Sequence, residues 1–282
     1  MFDSHCHLQF NAYKSDREAV VKRCVEKGVI CNVVGTQQDT SKAAVELAEK
    51  HDGLYATIGL HPIHTTHTEV DEEETSFQSR EEVWDDAYYS ELAKSKKVIA
   101  VGECGIELFH LPPDANKAEI LKKQTEMFLQ QINFAQKHNL PLVIHIRDAY
   151  DETINVLANL NPKRYTLNAT IHCFSGTWSQ AQQFLDMGFY LGFTGVVTFP
   201  PRKTNPQPTI DLLEVVKNCP LDRMLIETDA PYLAPQKYRG ERCEPWMVEE
   251  VAKKIAEIKN ISVEDMWRQV LENSQKLFGI KI

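Results

Sequence analysis

This 282-residue chain has no stretch approaching the roughly 20 consecutive apolar residues that a membrane-spanning helix needs, so no membrane partner is expected. Its opening, Met1-Phe2-Asp3-Ser4-His5, lacks both the basic region and the apolar core of a secretion signal. A cytoplasmic protein is the expectation. The seven cysteines form an odd set without a C-x-x-C pair, which disfavours a disulfide framework and predicts reduced thiols. An excess of positive charge is missing too, with 31 Lys and Arg against 40 Asp and Glu and a net charge of −9. That balance argues against a broad basic surface for gripping nucleic acid, but it leaves room for a local phosphate site charged by bound cations. No repeat, low-complexity tail or Gly/Ser linker marks a second domain, so residues 1–282 read as one domain with no obligate protein partner.

What is present is ordinary globular material, 43% hydrophobic and 25% charged, with a distinctive alternation. Short apolar runs lie at 2–8, 30–35, 55–59, 98–101, 141–144, 168–171, 190–193 and 224–226. Stretches with helical spacing separate most of them, at 19–28, 41–51, 120–139, 181–188 and 209–218. Eight strand-then-helix units predict an α/β fold, the (β/α)8 TIM barrel, whose chemistry sits where the strands end. One segment stands apart. Residues 64–97 carry ten acidic side chains against four basic ones, and read as a solvated loop leading into a helix over 81–93. A substrate-limiting lid is the sharper alternative for this acidic insert.

The strand ends carry His5, His7, Glu103, His145, His172 and Asp229, which together describe a metal site. His5 and His7 stand two apart, hence on one side of a strand. Glu103 is flanked by Gly102 and Gly105, which leave space for an ion, and its two oxygens can bridge two cations. His145 and His172 each end a strand. Either alone reads more readily as a hydrogen-bonded core histidine; the pair on consecutive strands reads as ligands. Asp229 ends the eighth strand and can serve as ligand and base. His61, after the third strand, is expected beside the metals, contacting water or substrate. Cys6, Cys104 and Cys173 adjoin these ligands, but strand alternation turns them toward the helix layer as small apolar fillers, with a thiolate zinc site as the lesser alternative.

Phe2-Asp3-Ser4-His5-Cys6-His7-Leu8, Gly59-Leu60-His61-Pro62, Gly102-Glu103-Cys104-Gly105, His145 with Arg147-Asp148-Ala149, His172-Cys173-Phe174-Ser175-Gly176 and Glu227-Thr228-Asp229-Ala230-Pro231 closely resemble the TatD-type metal-dependent hydrolases. Leu140-Pro141 before the fifth run, with Arg239-Gly240 and Leu277-Phe278-Gly279, extends the likeness over nearly the whole chain. The resemblance implies an amidohydrolase-superfamily barrel and a metal-dependent deoxyribonuclease, often exonucleolytic from the 3′ end. It implies that His5, His7, Glu103 and Asp229 hold one cation and that Glu103, His145 and His172 hold a second, with Glu103 as the bridge. The chain departs from the family pattern at Glu107, where Asp is usual, at Leu108, where an aromatic follows, and at Cys243, where Asn precedes Glu244-Pro245. These departures bear on substrate selection more than on metal binding.

The expected chemistry is phosphodiester hydrolysis by a metal-activated hydroxide on single-stranded DNA ends, with Asp229 as proton acceptor. Arg147 and His61 are the candidates for contacting phosphate, an ion pair with Asp148 being the alternative for Arg147. Arg202, Lys203 and Arg239 lie in loops where barrels often dock phosphate, though solvated charge is the commoner role. Phe174, Trp178, Phe199 and Tyr232 are candidates for stacking on bases, or for packing. Mixed imidazole and carboxylate ligands suit two divalent ions, zinc or manganese first, with magnesium possible. The same ligands could instead cleave a carboxylic ester, such as a D-aminoacyl-tRNA.

Overall fold

The computed structural model describes residues 1–66, 81–111, 114–160 and 167–281. Eight strands alternate with helices: β1 (Phe2–Cys6), β2 (Ile30–Val34), β3 (Leu54–Ile58), β4 (Val98–Glu107), β5 (Leu142–Arg147), β6 (Ala169–Ile171), β7 (Tyr190–Phe193) and β8 (Met224–Ile226). They form one sheet in the order β1-β2-β3-β4-β5-β6-β7-β8, the strand order of the (β/α)8 barrel predicted from the apolar runs. The helices are α1 (Arg17–Glu26), α2 (Gln38–Lys50), α3 (Asp86–Leu92), α4 (Lys117–His138), α5 (Tyr150–Ala158), α6 (Trp178–Asp186), α7 (Gln207–Asn218), α8 (Val248–Lys259) and α9 (Val263–Phe278).

Three boundaries differ from the sequence reading, each for a local reason. β1 stops at Cys6, so His5 stands in the strand and His7 just beyond it. β4 runs ten residues, all buried, past the apolar run that ends at Val101. It continues because it stays paired with β5, where Gly105 lies opposite His145 and Glu107 opposite Arg147, after a register shift between Val101 and Cys104. Gly105 sits at φ 139°, and a Cβ there would run into the His145 carbonyl. The helix expected over 81–93 begins only at Asp86, because the Asp85 carboxylate caps it by accepting from Ala87 N and Tyr88 N, both at 3.0 Å. Within the acidic segment, residues 67–80 lie outside the described residues, and so does most of the lid alternative.

Packing groups the chain into two units. The first comprises Met1–Leu8, Asp16–Asn32 and Thr170–Ile282. In it α9, starting from the Ser262 cap, buries Met266, Val270, Asn273, Ser274 and Leu277 on one stripe. Asn273 Nδ2 donates to Leu221 O and Met224 O, both at 2.8 Å, and so pins the start of β8. The second unit comprises Gln9–Ser15 and Val33–Ala169. Its α4 buries Ile120, Met127, Phe128, Ile132 and Ala135, each larger side chain contributing roughly 2 kcal/mol, and stops at the left-handed Asn139. The same stripe holds two glutamines. Gln131 accepts from Leu60 N and donates to Leu60 O, both at 2.9 Å, while Gln124 accepts from Glu107 N at 3.0 Å and donates to Glu107 O at 2.9 Å. These amides take the place of a neighbouring strand where β3 and β4 end, beside His61 and Glu107.

Candidate metal centre

In the first unit three strand-end side chains converge. His5 Nε2 lies 3.2 Å from His7 Nε2, and Asp229 Oδ1 lies 3.7 Å from the former and 3.3 Å from the latter. Two donors on a tetrahedral zinc at its usual ~2.0 Å stand about 3.3 Å apart, so this triangle fits a small divalent cation. The backbone holds the triangle together. Asp229 N donates to His5 O at 2.9 Å, and His7 N donates to Ala230 O at 2.7 Å. Asp229 adopts φ 59°, a left-handed conformation that aspartate tolerates. Behind it, fully buried Asp3 accepts from Thr228 N at 2.9 Å and Thr228 Oγ1 at 2.6 Å. Burial pushes the Asp3 carboxyl well above the usual carboxylate range, despite the bonds from Thr228.

His172, immediately after β6, stacks on His5 with ring centres 3.7 Å apart. Its Nδ1 meets Glu227 Oε1 at 3.1 Å. Glu227 is fully buried and also accepts from Cys173 N and, at 3.1 Å, from Ser4 Oγ. The carboxylate lies over Gly192, where a Cβ would come within 2.6 Å of Oε2.

The second unit gathers His61, Glu103 and His145. Glu103 Oε1 lies 2.8 Å from His145 Nδ1 and 3.4 Å from His61 Nε2. His61 Nδ1 accepts from Ile63 N at 3.0 Å. Burial and the neighbouring His145 lower the His61 pKa to about 4, so the ring is neutral and its proton sits on Nε2. It is a donor toward Glu103 rather than a free lone pair. His145 is gripped on both sides, since Nε2 meets Glu107 Oε2 at 3.2 Å. Burial opposes charge on His145, but the bonds to Glu103 and Glu107 outweigh it and raise the pKa. Burial would likewise raise Glu107, yet the His145 bond and charge bring it down to about 2.

Arg147, the last residue of β5, is exposed and lays its guanidinium 4.1 Å from the centre of the Phe109 ring. Among the described residues it makes no ion pair with Asp148. Leu108 is buried at the position of the family's aromatic, and Phe109, 53% exposed, carries the ring instead. In the first unit, Arg239 stacks on Phe199 at 4.3 Å, while Arg202 and Lys203 are exposed loop residues. Phe174 is core, Trp178 opens α6, and Tyr232 stands 6.3 Å from the His7 ring. Cys243 is buried.

Among the described residues the candidate metal clusters include no thiol. Cys6 and Cys104 are fully buried and Cys173 half-buried, and burial pushes Cys6 up to about 11 and Cys173 up to about 12. The sequence reading missed Glu107 and Glu227 as partners of the two histidines. Glu107 lies four residues after Glu103 on the same strand, and Glu227 two before Asp229, so strand alternation was the available signal.

The model for TatD related DNase matches residues 2–279. An uncharacterized metal-dependent hydrolase of Bacillus subtilis, YabD, is 37% identical over 281 residues, 99% of each chain. The 3′-5′ ssDNA/RNA exonuclease TatD of Pantoea ananatis is 34% identical over 287 residues, 99% of this chain and all of the relative. Among solved structures, the TatD homologue YjjV of Escherichia coli aligns with a TM-score of 0.80 at 26% identity, covering all of this chain and 98% of the other. With the converging imidazoles and carboxylates, these likenesses make the chain a metal-dependent hydrolase that belongs to the TatD family.

Proposed function

We propose that the chain is a metal-dependent deoxyribonuclease that shortens single-stranded DNA from its 3′ end. The observation that carries this reading is the Arg147–Phe109 stack, which offers a charge for phosphate two residues along β5 from His145 and, just past β4, an exposed aromatic ring for a base. The name of the Pantoea relative supports the same substrate class and adds RNA to it. His5, His7 and Asp229 hold one cation, and Glu103 and His145 hold a second, zinc or manganese suiting these donors best. The shared role of Glu103 and the place of His172 in the second set rest on the family resemblance. Bound cations would supply a more acidic water and charge to offset that building on phosphorus. Asp229 would serve as the proton acceptor, and neutral His61 would turn its Nε2–H from Glu103 to a phosphate oxygen.

The test is a time course of metal-stripped protein, with and without manganese or zinc, on 5′-labelled single-stranded DNA. A metal-dependent ladder shortening from the 3′ end, absent in Glu103→Ala, is expected. Intact DNA alongside fast hydrolysis of a D-aminoacyl-tRNA by the same loaded protein would overturn the nuclease reading.

A further inference from the structure

The geometry points to Glu107 as the positioning residue that fixes which ring nitrogen of His145 is free to hold a cation, an inference that rests on His145 being a ligand. The two oxygens of Glu107 have different tasks. Oε1 accepts from two backbone donors, Phe109 N at 2.7 Å and His110 N at 3.0 Å. Oε2 faces His145 Nε2 at 3.2 Å, with His110 Nδ1 at 3.4 Å beside it. The carboxylate cannot rotate away without stranding two N–H groups, and its own backbone is held at both N and O by Gln124. Glu103 Oε1 competes for the ring proton from 2.8 Å on the Nδ1 side, but with Glu103 engaged by a cation Glu107 is the acceptor left to the ring, and the proton settles on Nε2. The lone pair of a neutral His145 is then on Nδ1, on the side of Glu103.

The arrangement makes one small substitution disproportionately harmful. In Glu107→Gln the amide oxygen must occupy the Oε1 position, because the two backbone donors leave no place for an NH2 group. The amide nitrogen then replaces Oε2 and donates toward His145 Nε2. That nitrogen becomes an acceptor, and the ring proton moves to Nδ1, where it blocks the ligand position. Glu107→Asp keeps two acceptor oxygens and has no such conflict. Because β4 and β5 keep their own ladder, with Gly105 opposite His145, the substitution changes the ring tautomer without removing a strand contact.

The test is zinc titration of metal-stripped wild type, Glu107→Gln, Glu107→Asp and His145→Ala, with histidine ring 15N spectra of the zinc-loaded wild type. The His145 signals are those missing from the spectrum of His145→Ala. At the site weakened in His145→Ala, Glu107→Gln is expected to lose about 10- to 100-fold in affinity, the usual effect of removing a ligand's orienting partner, and Glu107→Asp less. The wild-type spectrum should show Nε2 protonated and Nδ1 bound to zinc. Glu107→Gln affinity equal to wild type, or a spectrum with the nitrogens reversed, would overturn the positioning role. Unchanged zinc affinity in His145→Ala would instead overturn the ligand assignment beneath it. The wild-type spectrum decides the question even if Glu107→Gln fails to fold.

Discussion

His145 and His172 are each held by a buried glutamate, but through opposite nitrogens: Nε2 to Glu107 in one case, Nδ1 to Glu227 in the other. The two glutamates should also differ in what they tolerate. In Glu227→Gln the amide oxygen can keep the bonds from Cys173 N and His172 Nδ1, while the new NH2 donates to Ser4 Oγ, whose own proton goes to Ile226 O at 3.0 Å. Glu227→Gln is therefore expected to bind zinc within a few-fold of wild type, and an equally severe loss in the Glu107 and Glu227 glutamine variants would contradict the hydrogen-bond assignment. Gly192→Ala forces a Cβ against the Glu227 carboxylate and should destabilise the protein by about 1–3 kcal/mol in urea unfolding, as overpacking does. At this scale the candidate ligands stood out in the sequence because each punctuates an apolar run. Glu107 and Glu227 did not: alternation puts each on the same side as a candidate ligand, but their histidine partners are distant in sequence, and no local pattern names that hydrogen bond.

Elements were legible where periodicity was undisturbed and obscured where function interrupts it. The eight strands followed from the apolar runs, yet β4 was cut short at Val101 because the glycines and glutamates of its second half break the apolar pattern. α5, α8 and α9 were not among the stretches picked out by spacing, although α8 is the helix that completes the eighth strand-then-helix unit and α9 adds to it. The polar residues of α4 have the opposite lesson. Gln131→Leu would make the buried stripe wholly apolar, but it would leave Leu60 N and O unpaired in the core, at about 1–3 kcal/mol for each stranded group. A net loss of stability in urea is expected, and a gain would show that Leu60 finds other partners.

For the whole molecule, a charge of −9 opposes the approach of a polyanion, and the proposed contact through Arg147 engages only one or two phosphates. With single-stranded DNA, the slope of log KM against log salt should be only about 0.7 to 1.4, and a much steeper slope would require a long basic track. Acid response belongs to this scale as well. In the first unit, Arg23 forks onto Glu244 at 2.7 and 2.8 Å, and Arg242 onto Asp16 at 2.7 and 2.9 Å. Bonding to Arg242 lowers the Asp16 pKa; burial would raise Glu244, but Arg23 and Trp246 hold it low. Carboxyls depressed in the fold stabilise it above their unfolded values near 4, and that contribution fades as pH falls through and below this range. Glu244→Gln should thus melt earlier than wild type at pH 7, with the gap closing between about pH 5 and pH 3. Thermal midpoints equally far apart at pH 3 would assign the loss to packing.

The Glu227 carboxylate over Gly192 also constrains descent. Any side chain at 192 crowds the carboxylate, and shortening Glu227 to make room takes the acceptor away from His172. Neither position can change first without loss, so among relatives the two should be kept together or exchanged together, one residue on β7 and one just past β8 inherited as a single character.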